Sequence, residues 1–210
     1  MAVQLGFLDL LVLPSHRLVD WTIGASILGW AVVGAMNSYG TRPTAIVAST
    51  SFLHTMVGVL FLLRRPASRQ GSLQDCLAVI PAVLIGGWVF AKSPSDWSML
   101  WQIVFLAGVL IATTAFYFLG RSFAILPAVR RVVRRGPYSI VRHPAYFGEL
   151  LMVFACSMSL GKASIWTWVF GITAGLIIIR IKIEERLLET DPAYKVYCQA
   201  VRWRLVPKLW

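Results

Sequence analysis

The sequence has little charge and few cysteines, and each shortage excludes a class of protein. Of the 210 residues, 14% are charged and 58% are hydrophobic, against about 25% and about 45–50% in ordinary soluble domains. Three cysteines stand singly in distant segments without a CxxC pair, so neither a disulfide framework nor a zinc site is expected. His16 and His54 are isolated as well, and we predict no metal site. The composition indicates an integral membrane protein.

The chain also lacks the marks of a soluble nucleotide-binding or nucleic-acid-binding module. No GxGxxG motif follows a strand pattern, and the polar segments are too short to hold a βαβ domain. The formal charge of +11 lies in short connections and a tail. We attribute it to membrane topology and to attraction by anionic lipid headgroups, and expect no nucleic-acid partner. Residues 1–14 resemble no signal peptide and are expected to lie at the membrane interface.

What the sequence does contain is a series of long apolar runs. About 20 helical residues cross the hydrocarbon region of a bilayer, and the short alternating segments of a membrane barrel are not seen. Six runs cover residues 18–38, 45–63, 76–91, 97–119, 144–160 and 165–183. The third and fifth are short, so five spans with a re-entrant third segment are the alternative. We predict an all-α, polytopic membrane helix bundle.

The distribution of basic residues predicts the orientation of this bundle. The connections after the first, third and fifth runs carry one basic residue each, Arg42, Lys92 and Lys162, whereas the other connections and the tail carry clusters. The positive-inside rule then places the clusters and both termini in the cytoplasm. Because the chain is compact and lacks sorting signals, we expect the cytoplasmic membrane of a bacterium.

We divide the chain into four N-terminal spans, residues 1–119, and one integrated C-terminal unit, residues 120–210, in which chemically reactive side chains concentrate. In that unit, the Gly136-Pro137 turn leads to His143, and Pro144 suits the first position of a helix. Helix N-termini attract carboxylates and phosphates, and Tyr146 lies one turn into the helix. This loop is therefore a candidate ligand site.

The sixth run ends in a second group of polar residues. Arg180 and Glu184 are four residues apart, share a helix face and are able to pair. An arginine within an apolar run is costly and indicates function, although the alternative is a side chain that reaches the headgroups. Glu185 falls on another face. Glu149, deep in the fifth run, either lines the site or bonds to a neighbouring helix.

The tail after Asp191-Pro192 has the pattern of a short amphipathic helix. Tyr194, Tyr197 and Val201 recur on one face of it. Two interpretations remain open: a helix packed on the membrane surface, or a lid over a cofactor.

Together these segments resemble the isoprenylcysteine carboxyl methyltransferase family and its phospholipid methyltransferase relatives. The resemblance rests on the order of the motifs across residues 119–210, whereas the first four runs match in hydropathy alone. The motifs are GPY at 136–138, RHPxYxG at 142–148, RxxxEE at 180–185, YxxY at 194–197 and RLVP at 204–207.

The resemblance implies a membrane-embedded methyltransferase that uses S-adenosylmethionine without a soluble Rossmann domain. It assigns the catalytic, acceptor-side roles to Arg180 and Glu184. The residues that it places around the cofactor are Arg134, Gly136, Tyr138, His143, Pro144, Tyr146, Glu185 and Tyr197.

The acceptor implied by the resemblance is lipophilic or membrane-resident and enters laterally from the lipid. A carboxylate acceptor is already anionic, and Arg180 would orient it. An amine acceptor must lose a proton, for which Glu184 or Glu149 is the candidate base. The alternatives are an NADPH-dependent membrane reductase, since sterol reductases share much of the C-terminal pattern, and a non-catalytic membrane protein.

Overall fold

The computed structural model describes the backbone of residues 7–161 and 163–210, and the side chains of residues 18–161 and 166–210. The side chains of the predicted interfacial segment, residues 1–14, and those of His16 and Lys162 lie outside these ranges. The described part of the chain is dominated by helices, which confirms the predicted all-α class.

Seven α-helices form the architecture of the described residues, and a pair of two-residue strands joins two of the connections. The strands β1 (Arg69–Gln70) and β2 (Ala128–Val129) pair antiparallel, with Arg69 opposite Val129. The helices are α1 (Phe7–Ser38), α2 (Thr44–Leu63), α3 (Leu73–Lys92), α4 (Met99–Leu119), α5 (Pro144–Ser159), α6 (Ala163–Leu188) and α7 (Pro192–Ala200).

Five helices in the described residues are long and apolar enough to cross a membrane, rather than six. They are α1 from Leu18, α2, α3, α4 and α6 from Trp166. The short element is α5, whose 16 residues extend about 24 Å, less than the hydrocarbon thickness of about 30 Å. The fifth apolar run therefore does not qualify as a span by its length.

The third run, for which a re-entrant segment was the alternative, is a full helix of 20 residues. It begins earlier than its apolar run because Ser72 and Asp75 form a capping box, in which each side chain bonds the other residue's backbone N–H. The polar residues before Cys76 thus belong to the first turn of α3.

Small residues allow α5 to lie against α4. A Cβ atom built on Gly148 would come within 2.6 Å of the carbonyl oxygen of Gly108. Such close backbone approach is typical of glycine contacts between membrane helices. It fixes the position of α5, whose first turns carry Tyr146 and Glu149.

Backbone contacts show which helix ends lie together. The N–H of Arg65, after α2, donates to the carbonyl of Arg121, after α4, at 2.9 Å. Arg42 lies at the other end, where it donates to the Ser93 hydroxyl at 2.7 Å. We call the end formed by the α2–α3 connection, the α4–α5 loop and the chain after α6 the basic end. That it faces the cytoplasm stays a prediction, as does the division at residue 119.

Candidate functional site

The loop before α5 is fastened to its surroundings at several points. Gly136 has φ +59°, and a Cβ there would lie 2.6 Å from the ring of Phe118, so glycine suits both the backbone and the space. The carbonyl of Tyr138 accepts a hydrogen bond of 2.7 Å from the Tyr197 hydroxyl. The loop is thus held between α4 and α7.

The tail after α7 runs alongside the start of α5. The N–H of Arg142 donates to the carbonyl of Trp203 at 2.9 Å, and the N–H of His143 donates to that of Arg204 at 2.8 Å. The tail therefore lies against the start of α5, and the lid interpretation of α7 stays a prediction.

A buried carboxylate lies at the centre of this region. Glu185 of α6 is 3% exposed, and its Oε1 atom lies 3.2 Å from His143 Nε2 and 3.2 Å from Arg142 Nε. Its Oε2 atom accepts a hydrogen bond of 2.6 Å from Arg204 Nε, and the Tyr194 hydroxyl donates to Oε1 at 3.4 Å. We call these five residues the Glu185 cluster.

The Glu185 cluster carries more positive than negative charge. Two guanidinium groups, of Arg142 and Arg204, face one carboxylate. Burial acts to lower the pKa of Arg142, but the charge of Glu185 raises it, and the net result is a raised pKa. Arg142 Nε is buried and makes no hydrogen bond. Its contact with Glu185 Oε1 is an ion pair outside hydrogen-bond geometry, and two guanidinium groups share one carboxylate, so the cluster is suited to an additional anion.

The tyrosines around the cluster are neutral. Burial raises the pKa of Tyr138, of Tyr194 and of Tyr197 above the ordinary value. Their hydroxyls remain hydrogen-bond donors, and their rings offer flat apolar surfaces.

A second buried group lies around Arg180, which is 6% exposed. Its Nη1 atom is 3.6 Å from Glu149 Oε2, and its Nη2 atom donates to the carbonyl of Ile125 at 2.9 Å. The guanidinium carbon lies 4.7 Å from the centre of the Tyr146 ring, and the Tyr146 hydroxyl donates to Glu184 Oε2 at 2.5 Å. We call Arg180, Glu149, Tyr146 and Glu184 the Arg180 cluster.

The pairing within the Arg180 cluster differs from the expected one. Arg180 makes its ion pair with Glu149 across the α5–α6 contact, whereas Glu184 accepts the Tyr146 hydroxyl. The reason is that α5 supplies a carboxylate and a phenol one turn apart, which provide tertiary partners for both residues. Glu149 forms an ion pair with the neighbouring helix α6, and its role in the site stays a prediction.

The two clusters share a wall. The rings of His143 and Tyr146 stack with centroids 5.5 Å apart and planes at 16°, and Glu184 and Glu185 are neighbours in α6. A molecule held by the Glu185 cluster would therefore lie next to the Arg180 cluster.

Most residues that the resemblance placed in the site come together here. His143, Tyr146 and Glu185 belong to the clusters, and Pro144 occupies the first position of α5. Arg134 instead lies at the exposed rim, where it donates to the carbonyl of Ala193 at 2.7 Å. These assignments as site residues stay predictions.

Sequence reasoning left Arg142, Arg204 and Tyr194 out of the site. All three belong to motifs on which the resemblance rests, so the signal was present. Their convergence on one carboxylate could not be seen, because Arg204 lies 19 residues after Glu185 and Arg142 lies 43 residues before it. Within the described residues, no group of His, Cys, Asp and Glu is arranged to hold a metal ion.

Comparisons with known proteins address the same region. Residues 98–194 match the phospholipid methyltransferase family, from the start of α4 into α7, which confirms the predicted resemblance over this part of the chain. In addition, 81 residues are 31% identical to Delta(14)-sterol reductase TM7SF2 of Mus musculus; this match covers 37% of the chain and 19% of the reductase.

Proposed function

We propose that the protein is an integral membrane methyltransferase that transfers a methyl group from S-adenosylmethionine to a lipophilic or membrane-resident acceptor. The observation that carries the proposal is the contact between the Glu185 cluster and the Arg180 cluster. It lies within the residues that match a methyltransferase family.

The composition of the Glu185 cluster fits the amino-acid part of this cofactor. An additional carboxylate would offset the excess positive charge of Arg142 and Arg204. The ammonium group of the cofactor would pair with the Glu185 carboxylate. The phenol rings of Tyr138 and Tyr197 provide apolar surface for the remainder of the molecule.

The protein's contribution to the reaction is positioning and exclusion of water. The bound cofactor supplies an electrophilic methyl group on a sulfonium, so that neither covalent nor metal assistance from the chain is required. The stacked rings of His143 and Tyr146 form a rigid wall between donor and acceptor sides. The tail, bonded through Trp203 and Arg204 to the start of α5, shields this wall, and such fixed geometry accounts for large rate gains.

The Arg180 cluster serves either of two acceptors. A carboxylate of the isoprenylcysteine type would be oriented by Arg180, which would exchange its contact with Glu149 for the substrate. An amine of the phospholipid type would lose its proton to Glu184, whose oxygen lies at the Tyr146 hydroxyl.

The test is calorimetric titration of the purified protein in detergent with S-adenosylmethionine and its demethylated product. We expect both to bind, and His143→Ala to weaken binding by about tenfold, because the stacked wall and the contact with Glu185 are lost. His54→Ala is the matched control, since His54 bonds within its own helix α2 at 2.8 Å. Wild-type affinity in His143→Ala would remove His143 from the site.

A second candidate is an NADPH-dependent membrane reductase, which the identity to Delta(14)-sterol reductase favours. The same titration, extended to NADPH, distinguishes a reductase from a methyltransferase. Binding of NADPH with no response to S-adenosylmethionine would replace the methyltransferase proposal. Binding of neither ligand, even with lipid acceptors added, would favour a non-catalytic membrane protein.

A further inference from the structure

A separate cavity of about 140 Å³ lies at the basic end, between α1, α2 and the turn after α4. It combines charged and apolar walls. The residues that line it include Asp20, Trp21, Phe61, Leu63, Arg64 and Arg121.

One of the arginines at this cavity is already neutralised. Arg64 forms two hydrogen bonds with the Asp20 carboxylate, one from Nε at 2.7 Å and one from Nη2. Its guanidinium carbon also lies 4.4 Å from the centre of the Phe61 ring. Arg64 therefore joins α1 to the end of α2 and is not free to bind an anion strongly.

Two further arginines are fixed in place without being neutralised: Arg121 lines the cavity, and Arg130 lies near enough to interact with the charges of Arg64 and Asp20. Arg121 Nε donates to the carbonyl of Leu63, and Arg130 Nε donates to the carbonyl of Arg65, both at 2.9 Å. The acceptors are carbonyls at and just after the end of α2, where helix termini leave acceptors unpaired. In the described part of the chain, no carboxylate forms an ion pair with either arginine.

The anchoring leaves the terminal nitrogens of these arginines available. Arg130 Nη1 is buried and has no hydrogen-bond partner. Burial and the nearby charge of Arg64 lower the pKa of Arg130 to about 10, and Asp20 partly offsets this effect. The local potential is thus positive, and an anion with several oxygen atoms would satisfy the unpaired donor.

The apolar walls indicate where such an anion would come from. Trp21 is 52% exposed and Leu63 is 55% exposed, beside the cavity and at the end of a predicted span. A free phosphate ion would leave these apolar surfaces exposed, whereas the acyl chains of a lipid would bury them. Basic pockets between membrane helices bind anionic headgroups, and the guanidinium fork matches phosphate oxygens.

We propose that Arg121 and Arg130 bind the phosphate group of an anionic membrane lipid, with Trp21 and Leu63 against its acyl chains. The lipid bridges α1, α2 and the α4–α5 loop at their shared end. The proposal does not rest on methyl transfer, because its test measures binding in the absence of turnover.

The experiment counts phosphatidylglycerol molecules bound to the purified protein in neutral detergent by native mass spectrometry across a titration. In Arg121→Gln/Arg130→Gln, we expect the affinity of the tightest site to fall roughly 10- to 30-fold, since each basic residue near an anionic headgroup contributes about a fivefold factor. The matched control is Arg69→Gln/Arg131→Gln, which removes the same charge from exposed positions of the same end. An equal loss of affinity in the control variant would contradict a specific site and would indicate diffuse electrostatic attraction instead.

A second variant acts in the opposite direction. Asp20→Asn frees the Arg64 fork and removes the nearby negative charge, so it should tighten phosphatidylglycerol binding. Unchanged or weaker binding in a folded Asp20→Asn protein would contradict the proposal, and this test remains if the double variant does not fold.

Two further titrations identify the source of the phosphate. Zwitterionic phosphatidylcholine should bind more weakly than phosphatidylglycerol; equal binding would overturn the role of charge. Inorganic phosphate at millimolar concentration should leave the bound lipid in place. If inorganic phosphate displaces the lipid from the wild-type protein but not from Arg121→Gln/Arg130→Gln, the site binds a soluble anion and the lipid proposal is overturned.

Discussion

The Glu185 cluster and the Arg180 cluster contain the same types of charged residue, but the ratio of positive to negative side chains is reversed between them. In the first, one buried carboxylate faces two guanidinium groups and a histidine. In the second, one buried guanidinium faces two carboxylates, one paired with it and one bonded to a phenol. The comparison shows that two adjacent clusters can differ in formal charge: the Glu185 cluster has an excess of positive charge, and the Arg180 cluster has an excess of negative charge.

Removing the central charge of the second cluster should have the largest effect. We expect Arg180→Ala to lower methyl transfer by about 100-fold or more, as when an electrostatic partner of the reacting group is lost, while S-adenosylmethionine still binds. Lys182→Ala, at an exposed position one residue beyond Ile181 on the same helix, is the matched control. Turnover is measured by transfer of a labelled methyl group to lipid acceptors.

The control for stability is a double variant. Arg180→Ala leaves Glu149 buried without its partner, which destabilises a protein by about 3–5 kcal/mol. Arg180→Leu/Glu149→Leu removes both charges and should recover thermal stability without recovering activity. Turnover that returns with stability would show that Arg180 has a structural role only.

Removing the central charge of the Glu185 cluster should weaken cofactor binding rather than change how the acceptor reacts. In Glu185→Gln, we expect the affinity for S-adenosylmethionine to fall roughly 10- to 100-fold, because the ammonium group of the cofactor loses its charged partner and Arg142 and Arg204 lose the charge that holds them in place. The control is Glu189→Gln, which changes an exposed carboxylate one turn further along the chain. Calorimetry measures the affinity, and intact binding alongside lost turnover would reverse the roles assigned to the two clusters.

The sequence predicted the elements that carry these clusters better than the contacts within them. Motifs at the start of α5 and the end of α6 could be located because helix-start signals and the limits of apolar runs are local. The partners of these residues could not be located from the sequence. The pairing of Glu149 with Arg180 depends on how the two helices are rotated, and that of Arg204 with Glu185 depends on the path of the tail. The i to i+4 rule suggested Glu184 as partner because it considers a single helix.

The number of spans shows the same limit. Composition distinguishes apolar from polar segments, but the capping box of Ser72 extends α3 beyond its apolar run, and α5 ends after 16 residues. The position of α5 depends on its packing against α4 through Gly148, a contact between distant parts of the chain.

Tyr146→Phe tests the wall that the two clusters share, and a moderate effect is expected. The ring that stacks on His143 and lies under Arg180 remains, and the hydroxyl bonded to Glu184 is lost. Turnover should fall about tenfold, within the range for a hydrogen bond to a charged group, with cofactor affinity unchanged. Tyr117→Phe, at an exposed position of α4, is the control, and a loss of cofactor affinity would show that the hydroxyl belongs to the Glu185 side.

The smallest effect is expected at the rim of the Glu185 cluster. Arg134 is exposed and bonds to the carbonyl of Ala193, so it holds the loop to α7 without reaching the buried carboxylate. Arg134→Gln should weaken S-adenosylmethionine binding by about two- to fivefold, the size of one solvent-exposed hydrogen bond, whereas Arg135→Gln, its exposed neighbour, should have no effect. A loss as large as that of Glu185→Gln would mean that the excess positive charge extends to the surface, and that the anion is bound by the loop as a whole rather than by the buried arginines.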